Sequence, residues 1–240
     1  MNAKVSFEIG LTTMLMLGGV HWASAAIVSQ SFSVPKTTGD IGDADGIGVS
    51  DPRTVNLFGA GSKIASLQVS LNIAGGYNSD YFVSLRHETP GGTGYSVLLN
   101  RVGIVSATNP NDYGYLDPGM NVVFSDKAAY DIHEYRLTAS SLNTEVPTTW
   151  QPDGRAIDPS VVTSATPRDA LLSSFQGLDP NGTWTLFILD QSPGGIGTLT
   201  SWGLTIDTGM VAVPEPSTAL AGAFMLLLTL TRFQWRSGKQ

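Results

Sequence analysis

Residues 183–190 (TWTLFILD) and 199–206 (LTSWGLTI) decide the fold of this chain. Large apolar residues occupy every second position of both stretches, a period that is typical of half-buried β-strands. The glycine-rich segment 192–197 (SPGGIG) separates them, which predicts that the two strands form a hairpin. The alternating apolar residues are Trp184, Leu186 and Ile188 in the first stretch and Trp202, Leu204 and Ile206 in the second.

The same alternation extends towards the N-terminus, and no segment of the body has helical periodicity. Further strands are predicted over residues 63–73, 81–85, 95–102 and 121–124. Residues 143–167 are polar and without a period, so we expect a loop that crosses one end of the fold. Short strands separated by Gly, Pro, Asn and Asp predict an all-β fold, a β-sandwich of the jelly-roll type.

The C-terminal segment has a different character. Val213, Pro214, Glu215 and Pro216 precede an uncharged apolar run that ends at Thr231. This run is slightly shorter than the roughly 17 to 25 residues of a typical membrane-spanning helix, and flanking side chains can complete the span. The basic residues after it, which hold the tail in the cytoplasm by the positive-inside rule, are Arg232, Arg236 and Lys239.

This order of motif, apolar run and basic tail resembles the PEP-CTERM sorting signal of Gram-negative bacteria. In that family an exosortase-type membrane protease recognises and cuts the signal. The resemblance implies a body that is exported across the inner membrane, transiently anchored, and then transferred to the cell surface or extracellular matrix. The alternative is an ordinary C-terminal anchor that is never cut.

The N-terminus is consistent with export. Lys4 precedes a short apolar region over residues 9–20, and residues 23–25 (ASA) form a small-residue cleavage site for signal peptidase. We therefore expect a signal peptide over residues 1–25, a body over 26–212 and the sorting signal with its transmembrane helix over 213–240.

Composition narrows the partners of the body. The chain has 20 acidic and 13 basic residues, a net charge of −7, so nucleic acid is excluded as a partner. It has no cysteine, although disulfides persist outside the cytoplasm. Stability must therefore come from the core or from a bound metal.

The body is also similar to a known family. Residues 171–177 (LLSSFQG), 181–186 (NGTWTL) and 201–204 (SWGL) are similar to the C-terminal half of the P domain of proprotein convertases. Earlier strands and the turn at 89–93 (TPGGT) follow in the family's order, and the family's Gly-Asp before the last strand is replaced by Gly195-Ile196. In convertases this domain is not catalytic; it packs against a subtilisin-like protease domain and stabilises it.

Residues for catalysis are scarce. The body contains only His87 and His133, which we expect at the surface, and no Gly-x-Ser-x-Gly elbow. The sequence therefore predicts no enzyme. It favours an exported binding or adhesion module whose ligand is an exopolysaccharide or another surface protein. The alternative is an accessory or catalytic component of an extracellular hydrolase.

Aspartates are the remaining candidates for chemistry. Asp80, Asp126, Asp131 and Asp190 fall at strand ends or in adjacent loops, and the P-domain order would let them converge at one end of the sandwich. Oxygen ligands of this kind suit calcium, so these four are the predicted calcium site. The alternative is four ordinary capping and turn residues, with Arg101 and Arg136 available to neutralise any that are close together.

Overall fold

The computed structural model describes residues 26–209, and these residues form two β-sheets packed face to face. One sheet has the order β1-β9-β3-β6-β7, and the other has the order β2-β8-β4-β5. The strands are β1 Ile27–Ser33, β2 Val49–Val55, β3 Ser66–Gly75, β4 Tyr81–Thr89, β5 Gly92–Asn100, β6 Met120–Phe124, β7 Thr148–Trp150, β8 Gly182–Asp190 and β9 Gly197–Asp207.

Helices are few and short in this part of the chain. One α-helix, α1, spans Lys36–Gly39, and three 3-10 helices span Asn78–Asp80, Ile132–Leu137 and Leu172–Phe175. The prediction of an all-β sandwich is confirmed. No helix within residues 26–209 is long and apolar enough to cross a membrane. The predicted signal peptide and sorting signal lie outside the described residues.

The core lies between the sheets, where the alternating residues meet. Trp184 of β8 and Trp202 of β9 are both almost fully buried. The ring centroids of Trp184 and Phe175 are 5.1 Å apart, and those of Trp202 and Phe32 are 4.7 Å apart. Large aromatic groups of this kind supply much of the apolar area that stabilises a domain.

The predicted hairpin between β8 and β9 is wrong. The two strands belong to different sheets, so the glycine-rich segment between Asp190 and Gly197 crosses the sandwich instead of reversing within one sheet. Strong alternation places one face of each strand in the core, and facing sheets satisfy that pattern as well as a hairpin does. The true hairpin joins β4 and β5, where Thr89 is paired with Gly92.

The predicted loop over residues 143–167 is wrong in part. It contains β7, which runs parallel to β6, and it buries Asp153 and Arg155 completely or nearly so. These two residues pair with each other, and that pairing makes their burial tolerable.

Candidate functional site

One end of the sandwich combines buried charge with exposed aromatic groups. There β3 ends at Gly75 beside Gly197, the start of β9, while β4 begins at Tyr81 beside Asp190, the end of β8. The Tyr81 hydroxyl donates to the Gly75 carbonyl at 3.0 Å and so links the two sheets. We call this the Asp80 end. Gly76 has φ +62°, and a Cβ there would overlap the Tyr81 hydroxyl, so glycine is required at this contact.

Asp80 and Asp190 are the buried carboxyl groups of this end, with only 4% and 2% of each residue exposed. Burial, followed by the charge of Asp190, raises the pKa of Asp80 to about 6. Burial and the charges of Asp43 and Asp45 raise the pKa of Asp190 to about 6, although the Ser192 amide opposes the shift.

The hydrogen bonds of this pair are incomplete. Asp190 accepts from the Ser192 amide at 3.0 Å through Oδ1, and its buried Oδ2 has no partner among the described residues. Asp80 accepts one long bond of 3.4 Å from the Ser79 hydroxyl. A buried carboxylate that lacks full pairing is costly, and such groups concentrate at functional sites.

Arg101 lies against this pair in a strained conformation. Its φ of +50° is uncommon for a residue other than glycine, and such backbone strain recurs at ligand-binding positions. Its guanidinium donates to the Ser79 carbonyl at 3.3 Å and to the Ser192 hydroxyl at 3.1 Å. These bonds fix the positive charge beside the two carboxyl groups.

A groove of about 290 Å³ opens above Asp80 and Arg101. Its exposed walls are Tyr113, Leu116 and Tyr77, which are 60%, 47% and 36% exposed. Ser192 and Pro193 complete the lining. We call this the tyrosine groove. It has a polar floor and apolar, aromatic sides, the usual composition of a small-molecule site.

The four aspartates of the predicted calcium site do not converge. Asp126 lies at the opposite end of the sandwich, where it accepts from the amides of Leu172 and Ser173 at 3.1 and 2.6 Å. Asp131 accepts from the His133 amide at 2.9 Å and pairs with Arg155 at 2.9 Å. Within residues 26–209 no group of three or more His, Asp or Glu side chains is arranged to hold a metal ion. Calcium binding through Asp80 and Asp190 stays a prediction.

His133 is buried, so its predicted surface position is wrong. Its Nδ1 lies 2.7 Å from an Asp153 carboxylate oxygen and its Nε2 lies 3.0 Å from the Ile104 carbonyl oxygen. Burial lowers the pKa of His133, but the hydrogen bond and charge of Asp153, together with the Ile104 carbonyl, outweigh burial and raise the pKa above its ordinary value. Both ring nitrogens face acceptors, as a charged imidazolium requires.

His87 is also buried, which again contradicts the prediction. Its ring stacks on Trp184 at 3.8 Å, and its two nitrogens lie 3.0 and 2.7 Å from the carbonyl oxygens of Thr183 and Asp179. Each histidine of the described region therefore has both ring nitrogens engaged by the protein. Neither is placed to act as a catalytic base.

The tyrosine groove was not predicted from the sequence. Tyr77 and Tyr113 are separated along the chain and follow no motif, and only the fold brings them together with Arg101. Arg136, the other proposed counter-ion, binds Asp117 through Nε at 2.7 Å and is not paired with any of the four predicted aspartates. The sorting residues Val213, Pro214, Glu215 and Pro216 and the basic residues Arg232, Arg236 and Lys239 lie outside the described residues.

Comparison with known proteins gives one family match. Residues 152–206 match the model of the proprotein convertase P-domain. This segment includes β8 and β9 but not Tyr77, Asp80 or Tyr113. No curated protein sequence matches the chain.

Two solved structures are similar over much of the chain. They are the Aeromonas sobria serine protease alone, with TM-score 0.40, and its complex with the chaperone ORF2, with TM-score 0.41. Each alignment has 14% identity and covers 77% of this chain but only 27% of the protease chain. This likeness is too weak to carry an argument. The chain is thus a two-sheet β-sandwich with a segment, residues 152–206, that is similar to the P domain of proprotein convertases.

Proposed function

We propose that this protein is an exported, non-catalytic binding module that uses the tyrosine groove to hold a ligand outside the cell. The observation that carries the proposal is the position of the groove. It lies at the Asp80 end, whereas β1 begins and β9 ends at the opposite end, where Ile27 is paired with Asp207. The Thr208 amide donates to the Ala26 carbonyl at 3.1 Å and keeps the two ends of the body together.

This polarity suits a tethered receptor. β9 has 11 residues, so it extends for about 35 Å between the two ends. Asp207, the last residue of β9, therefore lies at the end of the sandwich away from the groove. In the proposed function, an exosortase-type protease cuts at residues 213–216 after signal peptidase has removed residues 1–25.

The described chemistry favours binding over catalysis. A general base must be able to reach the substrate, and both described histidines are buried and fully bonded. Asp80 and Asp190 are a pair of carboxyl groups with raised pKa values, but Asp190 is almost completely buried and does not line the groove. Asp80 is the only one of the two in the groove lining, and a single carboxyl group does not provide the paired acid and base of glycoside hydrolysis.

The P-domain match favours a second candidate, an accessory component of an extracellular hydrolase. The P domain of convertases packs against a protease domain. In that case the surface formed by residues 152–206 would contact the hydrolase, and the tyrosine groove would have no ligand of its own.

Export and processing test the first proposal. The full chain is expressed in a Gram-negative host with an exosortase, and the released or surface form is analysed by mass spectrometry. We expect an N-terminus near Ala26 and a C-terminus near Pro216. The variant Glu215→Ala should accumulate as uncut, membrane-bound protein, whereas Glu145→Ala, an exposed glutamate of the body, should be processed normally. Uncut wild-type protein in that host would contradict the sorting proposal.

A co-purification assay separates the two candidates. The processed protein is incubated with the culture fluid of its host, and bound proteins and matrix material are identified. Retention on matrix material that is lost in Tyr113→Ala supports the binding module. A stoichiometric hydrolase that stays bound to Tyr113→Ala supports the accessory candidate and contradicts the first.

A further inference from the structure

The tyrosine groove carries a more specific inference about its ligand, which rests on the proposed function. Two clefts lie within residues 26–209 at opposite ends of the sandwich, and of these the tyrosine groove has aromatic walls. The other, about 270 Å³ at the opposite end, is lined by Ile27, Leu67 and Leu172 and by polar residues, without an aromatic ring. In the tyrosine groove, Tyr77 and Tyr113 present their rings next to Leu116 and Pro193.

The backbone holds one of these rings in place. Tyr77 lies against the glycine-rich crossing between β8 and β9, since a Cβ added at Gly194 or Gly195 would meet its ring at 3.5 Å. The Gly194 amide donates to Asp43 at 2.8 Å, which fixes the crossing itself. A ring packed on fixed backbone is available for stacking with little loss of conformational entropy.

The floor of the groove can both accept hydrogen bonds from hydroxyl groups and donate hydrogen bonds to them. The Asp80 carboxyl group accepts bonds, and the Arg101 guanidinium has five N–H donors, of which Nε and one on Nη2 are used by Ser79 and Ser192. The two bonds of Arg101 orient its guanidinium before any ligand arrives. A polar floor beneath aromatic walls suits a ligand with an apolar face and hydroxyl groups at its edge, which is the chemistry of a pyranose ring.

Charge selects among such ligands. The charges of Asp43 and Arg101 act on Asp80, those of Asp43, Asp45 and Arg101 act on Asp190, and the Asp43 carboxylate accepts from the Gly194 amide beside the groove, so four carboxyl groups accompany the Arg101 guanidinium at this end. An acidic polysaccharide would be repelled by this end of the sandwich. An uncharged saccharide would not.

We propose that the tyrosine groove binds one or two rings of an uncharged saccharide, whose C–H faces stack on Tyr77 and Tyr113 while its hydroxyl groups bond to Asp80 and Arg101. The volume of about 290 Å³ is at the lower limit of typical small-molecule sites, roughly 300 to 1,000 Å³. The site therefore takes a short portion of a chain whose remainder lies in solvent. Weak binding at one groove becomes firm attachment when many copies bind one polysaccharide.

The test is a binding titration of the exported, processed protein. Uncharged tetrasaccharides of glucose, galactose, mannose and N-acetylglucosamine are titrated by calorimetry, with tetragalacturonate as the acidic counterpart and tetralysine as a cationic peptide. At least one uncharged tetrasaccharide should bind, and Tyr113→Ala and Tyr77→Ala should each weaken it by about tenfold, which corresponds to 1.4 kcal/mol.

Matched tyrosines elsewhere provide the controls. Tyr130 is 56% exposed and Tyr95 is 38% exposed, close to the values for Tyr113 and Tyr77, and neither lines the groove. Their alanine variants should bind within about twofold of the wild type. Arg101→Gln, which keeps two N–H donors, should retain more binding than Arg101→Ala. Thermal melting of each variant confirms that the loss of binding is not a loss of folding.

Three results would overturn the inference. The first is an absence of binding by all four uncharged tetrasaccharides, the second is binding that survives both groove variants, and the third is equal binding of tetragalacturonate. Tyrosine-dependent binding of tetralysine alone would assign the groove to a cationic protein partner instead. If the processed protein still adheres to cells in any of these cases, the ligand class is wrong while the proposed binding function stands. If the processed protein also fails to adhere to cells, both the proposed ligand class and the proposed binding function are wrong.

Discussion

Two groups of buried charges in this molecule differ in how completely they are paired. In the first, the inner network, both oxygens of each carboxylate have partners. In the second, the Asp80 end, the buried Oδ2 of Asp190 has none among the described residues. The inner network consists of Asp131, His133, Asp153, Arg155 and Arg168.

The comparison shows how burial alone fails to identify a site. At the centre of the inner network His133, Asp153 and Arg155 are almost fully buried, both oxygens of its carboxylates are paired, and neither groove described above includes these residues; only Nε of Arg155 has no partner among the described residues. The Asp80 end has incomplete bonds, raised pKa values, a strained Arg101 and an open groove above it. The inner network adds to the stability of the fold. The Asp80 end lowers that stability, and the rest of the fold compensates for the loss.

Removal of Asp153 should have the largest effect. Asp153→Ala leaves His133 and Arg155 buried without their carboxylate, and breaking a buried ion pair in this way costs roughly 3 to 5 kcal/mol. Urea denaturation of the variant measures this loss. Glu145→Ala, at an exposed position, should change the unfolding free energy by less than about 0.5 kcal/mol. A loss below about 1 kcal/mol for Asp153→Ala would show that the inner network does not hold the fold.

The same substitution in both groups sharpens the difference. Arg155→Lys should cost about 2 to 3 kcal/mol, because lysine cannot replace the fork that binds Asp153, Ser164 and Asp131. Arg101→Lys should cost less than about 1 kcal/mol, because its two bonds lie at the edge of the groove. Equal losses, measured by the same denaturation assay, would erase the distinction.

Neutralising Asp80 should have the opposite sign. Its pKa is about 6 in the folded chain and roughly 3.9 in an unfolded one, so above pH 6 the folded state carries this charge at a cost. Asp80→Asn should raise the unfolding free energy at pH 7.5 by about 1 to 2 kcal/mol, because this net cost, in which burial and the Asp190 charge outweigh the attraction of Arg101, disappears with the charge. Asp126→Asn is the control and should lower stability, since Asp126 caps two amides. A lower stability of Asp80→Asn would mean that this carboxylate is structural.

The two groups should also change the stability of the fold in different pH ranges. This is the smallest of the expected effects. The folded state holds its Asp80 and Asp190 protons between about pH 4 and pH 6, where an unfolded chain has lost them, so stability falls as the pH rises through that window. The raised pKa of His133 gives a second fall above about pH 6.5, as the folded imidazolium loses its proton. Asp80→Asn should reduce only the first slope and His133→Gln only the second. Denaturation midpoints from pH 4 to pH 9 measure both. A change of both slopes in either variant would contradict the separation.

The sequence predicted β3, β4, β6, β8, β9 and the edge strand β5, but missed β1, β2 and β7, which lie at the other three sheet edges. Residues of β3, β6, β8 and β9 alternate because one face of each strand packs against the opposite sheet, whereas residues 96–100 of β5 are all buried and are marked by their apolar run. β1 lies at the edge of one sheet and buries Phe32 alone among its residues, and β2 lies at the edge of the other and contains Asp51 and Pro52. Edge strands tolerate polar residues and proline, so the pattern that identifies a strand is weak there.

The site was predictable only in part, for a different reason. Asp80 and Asp190 stand at strand ends, and that position is visible in the sequence. The partners of His87 and His133 are carbonyl or carboxylate groups that lie up to 96 residues away, so no local signal distinguishes these buried residues from surface histidines. Tyr77 and Tyr113 meet because a loop after β5 folds back over the Asp80 end. Contacts of this kind depend on topology, which residue periodicity does not encode.

The position of β9 has a mechanical consequence. β9 is paired on both sides, with β1 and with β3, and its C-terminal end points away from the groove. A load between a ligand in the groove and an attachment beyond Asp207 would pull along this strand. The backbone hydrogen bonds of an antiparallel pair are perpendicular to the strands, so such a force would load both ladders in shear and would not peel them one bond at a time. A module built in this way is suited to hold its ligand under flow.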